Sequence, residues 1–64
     1  MKTRTLSRLE MIGEIRDMLP RLWGQGRFEL AKEIMGEIHQ DNFVGVTDAT
    51  VRDIHRQLTQ ALAE

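Results

Sequence analysis

Leu9, Ile12, Ile15, Leu19 and Leu22 recur at three- and four-residue spacing, the period of an α-helix that buries one side. Met11 and Met18 widen that stripe, so the first element is expected to be a helix with a broad apolar face. Ser7 followed by Glu10 matches the capping box, in which the hydroxyl accepts one orphan backbone N–H and the carboxylate reaches back for another. The helix is therefore placed to start near Ser7, with Thr5 as an earlier cap. Pro20 cannot donate to the carbonyl four residues back, which predicts either a kink there or an end near Met18 and a restart. Gly24 and Gly26 then stop the element, because glycine reaches the left-handed conformation at low cost.

From Phe28 the apolar positions Leu30, Ala31, Ile34, Met35 and Ile38 trace a second helical arc, placed to run to about His39. Gln40, Asp41 and Asn42 read as a turn. The run Phe43-Val44-Gly45-Val46 is expected either to plug the core from a loop or to form a very short strand. Thr47 or Asp48 caps a third helix in which Val51, Ile54, Leu58, Ala61 and Leu62 share a face, with Arg52, Arg56 and Gln60 on the outside. Trp23, Phe28 and Phe43 flank the two connectors, where each is expected to close an end of the core. The whole reads as one all-α domain over residues 1–64: a three-helix bundle, kinked or broken at Pro20, whose helices two and three fit a helix-turn-helix arrangement.

A chain of 64 residues has a small core, and the absence of cysteine removes disulfides, thiolate metal sites and a cysteine nucleophile. Self-association as a homodimer is the expected compensation. No apolar run approaches the roughly 20 residues of a membrane span, and no apolar signal core follows Met1, so a cytoplasmic location is expected. His39 and His55 lack the spacing that sets two ligands on adjacent helical turns, and Ser7 is spent on a cap. Gly24-Gln25-Gly26-Arg27 has neither the strand nor the Gly-Lys-Ser/Thr of a phosphate loop. No metal site, cofactor or catalytic residue is therefore expected, and a non-enzymatic role follows.

The ten residues Gly45-Val46-Thr47-Asp48-Ala49-Thr50-Val51-Arg52-Asp53-Ile54 resemble the second half of bacterial helix-turn-helix DNA-binding domains, in which a glycine turn and a Thr cap lead into the recognition helix. The resemblance implies that Thr47 and Thr50 touch phosphate of double-stranded DNA and that Ala49, Arg52 and Arg56 face the groove. Either arginine would then discriminate a guanine by about 1 to 3 kcal/mol. Lys2, Arg4 and Arg8 would serve as a basic N-terminal arm. On this reading the chain is a small dimeric transcriptional regulator.

Charge suggests an alternative. Six basic and three acidic residues precede Phe28, whereas three basic and seven acidic residues follow it. Glu29, Glu33 and Glu37 fall at i, i+4 and i+8 on the second helix, an acidic ridge where a DNA-binding surface would call for base. Trp23, between a proline-perturbed turn and a glycine, is placed to act as a contact anchor. The alternative is thus a helical protein-interaction module, a small inhibitor or adaptor, working through Trp23 or through Glu29, Glu33 and Glu37.

Overall fold

A computed structural model describes residues 6–39 and 41–63, and these form three helices packed against one another: α1 (Arg8–Gly24), α2 (Phe28–Met35) and α3 (Asp48–Ala63). The fold is an all-α three-helix bundle. Ser7 caps α1 through the full capping box, its hydroxyl accepting from the Glu10 backbone N–H while the Glu10 carboxylate accepts from the Ser7 N–H, each at 3.2 Å. Pro20 sits inside α1 without dividing it. Its ring and Arg16, whose carbonyl loses an in-helix donor, both lie on the exposed side of the helix, away from the core. The restart after Met18 is therefore not needed.

α1 ends in a Schellman motif. The Arg27 N–H reaches the Leu22 carbonyl at 3.1 Å and the Gly26 N–H reaches that of Trp23 at 2.9 Å, with Gly26 at φ 76°. α2 stops at Met35, earlier than the apolar spacing suggests, because Gly36 turns to φ 61° and ψ −126° while its N–H closes on the Lys32 carbonyl. Ile38 and His39 consequently belong to the connector and not to the helix. Within that connector Phe43 plugs the core from a loop, at 6% exposure, and the Val46 N–H bonds the Phe43 carbonyl across a turn that places Gly45 at φ 83°. Thr47 caps α3, accepting from the Thr50 N–H at 3.2 Å.

α1 and α3 form the main seam, and they run parallel. Arg8 meets Asp48, Glu14 meets His55 and Met18 meets Thr59, a nearly constant sequence offset along both helices. Ile15, Leu19 and Leu22 from α1 interlock with Val51, Ile54 and Leu58 from α3, all at 2% exposure or less. α2 and the connector return the chain so that the two long helices can start at the same end. Arg27 locks the other end by donating to the Ala61 carbonyl at 2.8 Å, a cation at the C-terminus of a helix whose own last turn has none.

Three apolar residues depart from their expected places. Leu9 is 80% exposed, since it lies about 120° around α1 from the Ile15 seam at 100° per residue. Phe28 does not close the core but is 61% exposed at the start of α2, and Ile34 is only half-buried. Leu58→Ala should accordingly cost about 2 to 5 kcal/mol in chemical denaturation, with Ile34→Ala costing less than half as much. Equal losses for the two would mean that α2 is seated as deeply as α3. Gly36→Ala should cost about 1 to 3 kcal/mol through backbone strain, since nothing lies within 4 Å of its added Cβ.

Candidate functional site

The early stop of α2 leaves a groove of about 360 Å³ beside it. Leu19 and Trp23, one turn apart on α1, make one wall, and Ala31 and Met35 of α2 make the floor. Phe28 stands at one end of the groove and Ile38, redirected by the turn at Gly36, closes the other. Ala31 supplies the depth, because a methyl group there leaves room that a larger side chain would fill. The polar side chains on the lining are Lys32 and His39. Trp23 is half-buried against the core, so one part of its indole is anchored while the rest faces the groove.

Glu29 and Glu33 are exposed on α2, one turn apart and next to Lys32 on the helix surface. Glu37 does not continue that ridge on the helix, since it lies in the turn after Gly36. It is exposed there and is not part of the groove lining. None of these three carboxylates forms an ion pair among the described residues.

A different arrangement surrounds the residues assigned to DNA. The Arg8 guanidinium donates to the Asp48 carboxylate at 2.8 Å and to the Phe43 carbonyl at 2.7 Å, clasping the connector and the start of α3 onto α1. The Thr47 and Thr50 hydroxyls bond each other at 2.9 Å within the cap. Ala49, Arg52 and Arg56 share the exposed side of α3 and, with Asp53, line a shallow slot of about 170 Å³. Arg56 pairs with Asp53, whereas Arg52 has no partner among the described residues. Residues 36–47 separate α2 from α3, a span well beyond the roughly three to four residues of the helix-turn-helix connection. Lys2 and Arg4 lie outside the described residues.

A depression of about 230 Å³ lies between Arg8, Ile12, Arg16, Asp41, Phe43 and Val44. Its two guanidiniums are already engaged, Arg8 by Asp48 and Arg16 by Asp41 at 3.2 Å. His55 Nε2 lies 2.6 Å from Glu14 Oε1 and serves as a tie between α1 and α3. Among the described residues no group of three or more His, Asp or Glu side chains is placed to hold a metal ion. No described helix is long and apolar enough to cross a membrane.

Sequence reasoning singled out Trp23 and the acidic residues separately, and the structure keeps them apart: Trp23 lines the groove, whereas Glu29, Glu33 and Glu37 are exposed outside its lining. It missed Phe28 as an exposed contact and Arg8 as a clasp. The first had no local signal, since Gly36 marks where α2 ends and not whether Phe28 at its start is covered. The second had none, because its partners are 35 and 40 residues away. No known protein family, curated protein or solved structure matches the chain. Replacing Arg8 with Gln should lower stability by about 1 kcal/mol, a charged hydrogen bond discounted for its partial exposure. It should also speed hydrogen exchange at the Val46 amide while α2 amides keep their rates; unchanged exchange at Val46 would show that the connector holds without the clasp.

Proposed function

We propose that the chain is a non-enzymatic, cytoplasmic protein-interaction module that receives an apolar segment of a partner protein in the groove beside α2. One observation carries this reading: Phe28 is 61% exposed at the mouth of a groove whose other walls include Trp23, Leu19 and Ile38. Large aromatic side chains left partly in water cost free energy in the isolated chain, and aromatic residues set in a desolvable pocket are the usual anchors of protein interfaces. The volume falls within the range of about 300 to 1,000 Å³ typical of ligand-sized clefts, enough for two or three apolar side chains. A homodimer would use the same face, with a second copy as the partner.

A second reading, a small DNA-binding regulator with α3 as reader, draws on Arg52, which has no partner among the described residues and shares an exposed stripe with Ala49 and Arg56. It ranks below the first because Arg8 and the two threonine hydroxyls are already engaged within the chain. Titration with mixed-sequence duplex at low salt decides it: micromolar association that weakens steeply with added salt supports it, and no association removes it.

Trp23 is the chain's one tryptophan, so its fluorescence reports directly on the groove. An amphipathic helical peptide presenting leucines at i, i+3 and i+7 should shift Trp23 emission to the blue. Phe28→Ser should weaken that binding by about tenfold or more while the thermal melt stays within a few degrees of the parent. Absence of any shift, together with a monomer by light scattering, would overturn the proposal.

A further inference from the structure

We propose that the segment taken by this groove is an acidic amphipathic helix, with apolar side chains seated between Trp23 and Phe28 and an aspartate or glutamate carboxylate meeting Lys32 and His39. The inference rests on the groove reading above and adds the chemistry of the partner. The lining is divided along its length. Trp23 and Phe28 flank the connector between α1 and α2, whereas Gly36, Ile38 and His39 follow the last turn of α2, about 10 Å further on at 1.5 Å per residue. Lys32 stands one turn before Gly36. It is the one charged side chain of the lining and forms no ion pair among the described residues. His39 Nδ1 accepts the Asp41 backbone N–H at 3.2 Å, so in the neutral imidazole the proton sits on Nε2, which is left as a donor. The Asp41 carboxylate, 4.0 Å from that ring, is engaged by Arg16 at 3.2 Å. One end of the groove is thus apolar, and the other offers a free cation and a donor.

The acids of α2 do not occupy that cation. Glu29 and Glu33 turn about 100° or more from Phe28, Ala31 and Met35 at 100° per residue, and Glu37 is exposed beyond the helix, so none of the three lines the groove. A partner that fills the cleft displaces water beside Lys32, and a carboxylate carried by the same partner then meets the ammonium where screening is weakest. A basic segment would find no acid on the lining. A second copy fits less well, since an isologous pair buries the same face of both chains and sets two copies of Lys32 in one interface with no lining acid between them. Nucleic acid fits less well too, because a run of phosphates would pass Glu29, Glu33 and Glu37 with one lining lysine to offset them.

Three synthetic helical peptides of one length and one apolar pattern, differing only in Glu, Gln or Lys at both ends of the apolar stripe, test this by Trp23 fluorescence. The Glu peptide should bind about fivefold tighter than the Gln peptide at low salt and the Lys peptide weakest, with the differences shrinking toward 0.5 M salt, where the screening length is about 4 Å. Lys32→Gln, checked for helix content by circular dichroism, should abolish the Glu advantage and leave affinity for the Gln peptide unchanged. Arg21→Gln, the same loss of charge away from the lining, should leave the advantage intact. Equal binding of all three peptides, tightest binding of the Lys peptide, or equal loss of the advantage in both variants would overturn the acidic-partner inference while leaving the groove reading in place. Octanoate that competes at the concentration of the Glu peptide would assign the groove to a free aliphatic acid and overturn the inference. Binding of none of the peptides by a monomeric protein would overturn both readings. A concentration-dependent dimer broken by Phe28→Ser would assign the groove to a second copy and also overturn the inference.

Discussion

The parallel seam between α1 and α3 is the constraint on which the rest depends. Two helices can start at the same end only if the intervening chain travels back along them, and α1 spans 17 residues, or about 26 Å at 1.5 Å per residue. α2, at 8 residues, covers about 12 Å of that return, so residues 36–47 must supply the remainder without regular helix. The connector therefore has to be pinned by side chains. Phe43 enters the core, the Asn42 carboxamide oxygen accepts from the Val44 N–H, and Arg8 fastens the segment at its far end.

The groove is a consequence of the same geometry. α2 stops at Met35, and the chain leaves the helix at Gly36. Ile38 in the connector then lines the groove together with Trp23 of α1 and Ala31 of α2. The seam provides the rigid backing of this lining: Ile15, Leu22, Val51 and Leu58 are fully buried.

Electrostatics divides the surface in two. Around α1, α3 and the connector, acids and bases alternate closely enough to pair, and such exposed pairs add little to stability and leave little field. Around α2 the carboxylates outnumber the one lysine and pair with nothing described.

Local codes in the chain determined the elements. The three- and four-residue spacing, the capping box at Ser7 and Glu10, the cap at Thr47 and the left-handed glycines each act within a turn or two of backbone, so they are legible in order along the sequence. The same signals, read too generously, carried the second helix past Gly36 and put Leu9 in the core. What only the tertiary structure decided is which flank of each helix is covered. Exposure of Leu9 and Phe28, the capture of Arg8 by Asp48 and Phe43, and the meeting of Trp23 with Ala31 and Ile38 along the groove all depend on the relative placement of separate segments. A helical repeat specifies that one face is apolar, whereas the width of that face left to solvent is set by the length and direction of its neighbours.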